Sequence, residues 1–276
     1  MKQLNTMRHA LSMLELVFTI VILGIVSSIG AEVIANTYES YIVQRAQYRS
    51  TMKTELALNQ IANRLRYAIP STVGIRATPT SSFSRIIETN SENDNVLQWV
   101  AYDGDSFEAI SSDSNRKPGW SGFIDIYDAS TSSSSLVSRG SNLGLASTVI
   151  GNLGGSLGSA VIYFEDGTSY AVSSGSDETI TLSSSIPSGS SIFERYKLAW
   201  SSYALSVESG DLYLYYNFTP TVGATLGSTK SLLLKNVTNF RFKGSEGSIR
   251  IKICKEEQIG MSSTDTIHAC KEKVIF

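Results

Sequence analysis

Residues 11–29 read LSMLELVFTIVILGIVSSI and form the longest apolar run of the chain. As an α-helix, a run of this length spans about 28 Å, close to the thickness of the bilayer hydrocarbon core. The preceding residues 1–10 carry Lys2 and Arg8, and no basic residue directly follows the run. This charge distribution predicts one membrane segment with a cytoplasmic N-terminus and the rest of the chain outside.

Glu15 is the only acidic residue inside this run. An ionised carboxylate in an apolar membrane helix costs about 3 kcal/mol, so it is expected to have a partner or a function. One interpretation is a carboxyl group that stays protonated or lies at the membrane interface. Another is that cleavage between Ala10 and Leu11 creates an ammonium four residues before Glu15, on the same helix face. The carboxylate would then pair with that ammonium or with the ammonium of a neighbouring copy.

The residues around Ala10 resemble the prepilin cleavage and methylation motif of type IV pilins and type II secretion pseudopilins. Ala10 is followed by LSMLELV (11–17) and then by the remainder of the apolar run. The resemblance implies that a prepilin peptidase cuts after Ala10 and methylates the new amino group of Leu11. It also implies that Glu15 assists docking into a growing filament. Family members usually have Gly before the cut and often Phe after it, where this chain has Ala10 and Leu11.

An ordinary secretory signal peptide is the competing interpretation of the same segment. The small residues Ser28 and Gly30 precede Ala31 at the spacing that signal peptidase prefers. Two features favour the prepilin interpretation: the acid within the apolar run, and the lack of a Pro- or Gly-rich break after it.

The chain stays helical in pattern beyond the apolar run. Residues 31–69 contain neither Gly nor Pro, and Pro70 ends the stretch. We predict one long helix with a membrane half at 11–30 and an amphipathic half at 31–69, while two helices with a bend near Gly30 are the alternative. The apolar residues that recur at helical spacing are Ile34, Tyr38, Ile42, Leu58, Ile61, Leu65 and Ala68.

Beyond Pro70 apolar and polar residues alternate, which predicts antiparallel strands. Asp-Gly pairs at 103–104 and 166–167 are favoured hairpin turns. The serine- and glycine-rich stretches 129–159 and 183–191 are predicted to be long surface loops. The predicted strand segments are 96–102, 107–110, 122–128, 160–172, 196–207, 211–218 and 231–257.

Pattern and resemblance together predict an α+β, pilin-like protein in which the long N-terminal helix packs on an antiparallel β-sheet head. The predicted parts are a leader peptide at 1–10, the two helix halves, and an extracytoplasmic head at 70–276. The C-terminal segment 232–257 is similar to that of larger minor subunits, namely the J-type beneath the filament tip and the W-type pilus initiators.

The resemblance implies a structural subunit of a type IV pilus or pseudopilus, with no enzymatic activity and no cofactor. Its expected partners are prepilin peptidase, other pilin or pseudopilin subunits, the inner-membrane assembly platform and membrane lipid. The expected location is the bacterial inner membrane, with the head in the periplasm, and afterwards the filament. A membrane-anchored or secreted β-rich binding domain outside any filament is the alternative function.

Composition limits the other classes of function. With 23 Lys+Arg against 25 Asp+Glu and a net charge of −2, the chain lacks the basic footprint of a general nucleic-acid binder. Two His and two Cys are too few for a multi-His or Cys-rich metal site. Asp103, Asp105 and the acidic stretch 91–95 offer oxygen ligands for calcium, but they lack EF-hand spacing and suit turns equally well.

Cys254 and Cys270 are the two cysteines. The residues alone allow either a disulfide or two buried free thiols. Because pilins often close their C-terminal region with a disulfide, the resemblance favours a bridge between them.

Two further patterns have both a functional and a structural interpretation. Gly154-Gly155-Ser156-Leu157-Gly158 matches the serine hydrolase elbow, with His268 as its base, yet the match lies in a predicted serine-rich loop. Four basic residues alternate with apolar ones on the last hairpin, which predicts either a solvated outer face or a docking patch for an acidic partner. They are Arg241, Lys243, Arg250 and Lys252.

Overall fold

The computed structural model describes residues 12–86, 95–112, 114–245, 247–259 and 266–275. The chain divides into two compact parts, Met1–Arg49 with Glu257–Ile267 and Ser50–Glu256 with His268–Phe276. The described helices are α1 (Met13–Leu65), α2 (Gly104–Glu108) and α3 (Leu143–Asn152), with short 3-10 turns at Pro70–Thr72 and Leu157–Ser159.

The strands follow α1 along the chain and supply three sheets. They are β1 (Gly74–Arg76), β2 (Ser84–Arg85), β3 (Val96–Ala101), β4 (Ser135–Val137), β5 (Val161–Phe164), β6 (Ser169–Ser176), β7 (Thr179–Leu182), β8 (Tyr196–Ala199), β9 (Ser201–Glu208), β10 (Asp211–Phe218), β11 (Lys230–Leu234), β12 (Val237–Ser245), β13 (Ser248–Gln258) and β14 (Thr266–Ile275).

The strand orders are β11-β10-β9-β3-β1-β2, β4-β7-β6-β5-β8 and β12-β13-β14. Pairing is antiparallel throughout the first two sheets and between β12 and β13. The predicted α+β class with antiparallel sheets is therefore confirmed.

Helix α1 is one continuous helix, so the alternative of two separate helices is wrong. Ser12 begins it: its hydroxyl accepts a hydrogen bond from the backbone N–H of Glu15 at 3.3 Å. The helix continues through Gly24 and Gly30, because a glycine costs a helix only about 1 kcal/mol relative to alanine. The helix ends at Leu65, a few residues before Pro70, because Ala68 already forms a β-bridge with Ala101.

The main core of the second part lies between the C-terminal turns of α1 and two of the sheets. Leu58, Ile61 and Leu65 are all buried, as their helical spacing predicts. They pack against the six-stranded sheet and the three-stranded sheet, where Leu97 and Ile251 are fully buried. Each large apolar side chain buried here contributes about 1.5–3 kcal/mol to folding.

The five-stranded sheet has a core of its own, and it corrects one sequence prediction. Residues 129–159 were predicted to form a surface loop, but they contain β4 and α3. The α3 side chains Leu143 and Ile150 are fully buried against Ile162 and Leu198 of this sheet. The prediction missed α3 because it relied on the serine-rich composition and not on the apolar residues that recur at helical spacing.

Two further strand predictions are wrong. Residues 107–110 do not return from a hairpin at 103–104, because Gly104–Glu108 is helix α2. Residues 122–128 form turns rather than a strand, with only Phe123 in an isolated bridge. The carboxylate of Asp125 accepts the N–H of Tyr127 at 3.2 Å, which stabilises this turn.

Candidate functional site

The N-terminal half of α1 presents apolar side chains on every side. An 18-residue window of this helix has a mean hydropathy of 2.3, and none of it is buried. Phe18, Ile22 and Leu23 are 61%, 58% and 67% exposed, respectively. The helix is long and apolar enough to cross a membrane, which suits a membrane anchor or a signal sequence.

The polar groups in this apolar segment are satisfied within the helix where their bonds are described. Thr19 donates its hydroxyl hydrogen bond to the carbonyl of Leu16 at 2.8 Å, as hydroxyls in membrane helices do. Ser12 caps the first turn, and Glu15 follows it at the third helical position. Ser12-Met13-Leu14-Glu15 has the capping-box spacing, a signal that sequence reasoning missed.

Glu15 lies in the first turn of α1 with its side chain exposed. Among residues 12–259 and 266–275, as far as they are described, no cation contacts its carboxylate. A carboxylate in this position is favoured by the positive end of the helix dipole. The described residues therefore supply no full counter-charge for Glu15.

The predicted amphipathic stripe is only partly covered by protein. Ile34 and Tyr38 are 71% and 66% exposed, whereas Leu58 and Leu65 are buried. Apolar side chains thus stay uncovered beyond the end of the predicted membrane half. A helix with such a surface is suited to packing against other helices.

The disulfide between Cys254 and Cys270 joins β13 to β14. It is the bridge that the family resemblance favours, and no free cysteine lies in the described part of the chain. The two cysteines are 16 residues apart, and this loop includes the residues between the two strands. The bond therefore links the last strand covalently to its neighbour in the three-stranded sheet.

We expect a Cys254→Ser, Cys270→Ser double variant to lose about 3 kcal/mol of unfolding free energy, because a loop of this length is no longer closed in the unfolded chain. Urea unfolding of the full chain in detergent, followed by tryptophan fluorescence, measures the change. Wild-type protein unfolded with a reductant is the matched control and should behave like the double variant. Equal stability of oxidised wild type and double variant would contradict the prediction.

The predicted basic face of the last hairpin is exposed. Arg241 lies directly opposite Lys252, and Lys243 lies opposite Arg250, across β12 and β13. Like charges at directly opposed positions destabilise a sheet slightly. Arg250 offsets part of this repulsion through an ion pair with Glu272 at 3.3 Å.

Ser156 does not lie in a nucleophile elbow. It follows helix α3 rather than a strand, and its hydroxyl accepts the N–H of Gly158 at 3.2 Å, at the start of a 3-10 turn. His268 lies on β14 of the three-stranded sheet, with an exposed side chain. No contact between the two residues is present among those described, so the hydrolase interpretation lacks its geometry.

A cluster of charges next to the β6–β7 turn serves structure. Glu178 accepts hydrogen bonds from Lys117 at 2.8 Å, from the Gly140 N–H at 3.0 Å and from Arg139 at 3.0 Å. The Lys117 ammonium above all, with these other donors, lowers the pKa of Glu178 to about 2. Arg139 also pairs with Asp128. Because each charge has a partner of opposite sign, the cluster offers no free acid or base.

Some predicted site residues are not among those that the structure describes. Ala10 and Leu11, the predicted cleavage and methylation positions, lie outside the described residues, as do residues 91–94 of the acidic stretch. Within the described ranges no group of three or more His, Cys, Asp or Glu is arranged to hold a metal ion. In comparisons with known proteins, no family model, no curated protein and no solved structure matches this chain.

Proposed function

We propose that this protein is a minor subunit of a type IV pilus or a type II secretion pseudopilus. Its role is structural: the N-terminal half of α1 stores the subunit in the inner membrane and later packs in the filament. The observation that carries the proposal is an acidic residue, Glu15, in the first turn of a helix whose N-terminal half is otherwise apolar and fully uncovered.

The uncovered surface of α1 supports both stages of this cycle. Lipid tails cover the apolar side chains of the N-terminal half while the subunit waits in the membrane. Neighbouring copies of the same kind of helix cover them after extraction. The exposed stripe at Ile34 and Tyr38 gives these neighbours further apolar surface beyond the membrane half.

In this mechanism Glu15 fixes the position of each subunit along the filament relative to its neighbour. Hydrolysis of the Ala10–Leu11 peptide bond by prepilin peptidase leaves an ammonium on Leu11. In a bundle of helices, the Glu15 carboxylate of an incoming subunit pairs with the Leu11 ammonium of its neighbour. Away from water, an unpaired carboxylate costs several kcal/mol, so misplaced arrangements are disfavoured. The absence of a proline from the membrane run suits a minor subunit.

The test is the mass of the N-terminal peptide of the protein recovered from a membrane fraction of its native host. We expect a peptide that begins at Leu11 and carries one additional methyl group. A start at Ala31 would indicate an ordinary exported protein and would overturn the proposal. An intact Met1 would instead indicate a simple membrane anchor, which is the β-rich binding domain outside a filament.

A further inference from the structure

A cleft of about 810 Å³ lies in the part of the chain that begins at Ser50. The last turns of α1, the β3–α2 junction and strands β9 and β10 form its walls. Its volume is within the range of small-molecule sites, about 300–1,000 Å³. Neither the apolar run nor the disulfide contributes to it, so the proposed filament role leaves it unexplained.

Aromatic side chains form much of the wall, and all of them are half-buried rather than enclosed. Half-buried rings in a cleft keep part of their faces available to a ligand. The rings are those of Tyr67, Tyr102, Trp200, Tyr203 and Tyr216.

Two of these rings are positioned by glycines. A side chain at Gly104 would collide with the ring of Tyr67, and a side chain at Gly155 would collide with the indole of Trp200. Each ring therefore lies directly on a backbone segment, which limits the directions in which it can move. Rigid aromatic surfaces bind with little loss of side-chain entropy.

Asp103 adds an unused hydrogen-bonding group to this wall. Its side chain is 3% exposed, and its Oδ1 accepts the N–H of Ser106 at 3.1 Å as the cap of α2. The other oxygen, Oδ2, has no hydrogen-bond partner in the described part of the chain. Burial raises the pKa of Asp103, against smaller opposing effects of Ser106 and Trp200. A buried polar atom of this kind normally has a partner.

The charges of the cleft disfavour charged ligands of either sign. Arg64 lies on one wall with its guanidinium 5.7 Å from the ring centre of Tyr203, where a cationic ligand would otherwise be attracted. The carboxylates of Asp103 and Asp105, which also line the cleft, repel anions. The amide of Asn63 adds both a donor and an acceptor. The ligand that fits these walls is uncharged, has many hydrogen-bonding groups, and has apolar faces.

We propose that this cleft binds a neutral carbohydrate. The C–H faces of a sugar ring pack on the indole of Trp200 and the neighbouring tyrosines, while its hydroxyl groups bond to planar polar side chains. A sugar hydroxyl donates to the carboxylate of Asp103, and the Arg64 guanidinium donates to sugar oxygens. A peptide would also find aromatic surface here, and its backbone carries both donors and acceptors, so peptide binding is one outcome of the test.

The experiment uses the full chain purified in lauryldimethylamine oxide, a detergent without a sugar headgroup. Neutral tri- to pentasaccharides of the cello-, malto-, chito- and manno-series are titrated to 10 mM while tryptophan fluorescence and binding heat are followed. We expect saturable binding of at least one series. We expect Trp200→Ala to weaken it at least tenfold, and Asn63→Ala, at an exposed helix position, to weaken it severalfold without affecting folding.

Tyr127→Ala is the matched control, since this aromatic residue is 90% exposed and lies outside the cleft. It should bind like the wild type. The proposal is overturned if no saccharide binds by 10 mM, or if Tyr127→Ala and Asn63→Ala change binding equally. Saturable binding of a tryptic peptide digest in place of the saccharides would also overturn it. None of these outcomes depends on filament assembly.

Discussion

On the proposed filament role, we expect replacement of Glu15 by alanine to lower the amount of the protein in filaments at least tenfold and to leave the amount in the membrane unchanged. The two locations are expected to respond differently, because loss of the carboxylate has opposite energetic consequences in lipid and in a bundle of helices. In lipid, loss of the carboxylate removes a cost of about 3 kcal/mol, so membrane anchoring is at least as strong. In a helix bundle, the same loss leaves the Leu11 ammonium of a neighbour without its partner.

The measurement compares sheared filaments with inner membranes from the native host, each probed for this protein. Glu15→Gln keeps the size and hydrogen-bonding capacity of the side chain, so it separates charge from shape and should fail nearly as completely as alanine. Glu39→Ala is the matched control, because Glu39 is also an exposed acid of α1 but lies outside the apolar run. Filament levels of Glu15→Ala equal to those of Glu39→Ala would show that no pairing is needed.

The helix was predictable because its signals are local. Uninterrupted apolar and amphipathic spacing, without Gly or Pro after Gly30, indicated a helix over 11–69, and the structure places α1 at Met13–Leu65. The four-residue difference at the C-terminal end has a long-range cause. Ala68 pairs with Ala101, and Ile69 donates to the carbonyl of Val100 at 2.9 Å. No local pattern in the helix reports those partners.

The two Asp-Gly pairs show where local reasoning ends. At 166–167 the pair turns a hairpin between β5 and β6, with Gly167 at a positive φ of 85°, as predicted. At 103–104 the same dipeptide begins a helix, because Asp103 caps α2 and Gly104 leaves space for the ring of Tyr67. The packing of a distant tyrosine decides between turn and helix cap, and that packing is not visible in the dipeptide.

The candidate sites also differ in whether local sequence or long-range packing determines them. The Glu15 motif and the cysteine pair were visible in the sequence because each depends on residue type and spacing. The aromatic cleft was not visible, since its walls come from α1, β3, β9 and β10 and meet only in the folded chain. Tyr216, for example, is one residue of strand β10 in the sequence and becomes part of the cleft only through the fold.

On the proposed anchoring of the protein by α1, we expect two arginines in the apolar run to detach it from the membrane. Ile20 and Leu23 are 60% and 67% exposed on α1, so their side chains would face lipid. Each arginine near the centre of a membrane helix costs about 3 kcal/mol, and two cost about 6 kcal/mol if they act independently. That cost lowers the equilibrium constant for membrane insertion by about 10⁴-fold, since each factor of ten corresponds to about 1.4 kcal/mol.

Met52→Arg with Leu56→Arg is the matched control, because these residues are 49% and 60% exposed on the same helix but lie outside the apolar run. The measurement is the fraction of full-length protein that stays with membranes after alkaline carbonate extraction. We expect that the Ile20→Arg, Leu23→Arg protein is extracted or degraded, whereas the control pair stays with the membranes as wild type does. Equal retention of both pairs would mean that the apolar half of α1 is covered by something other than lipid before assembly.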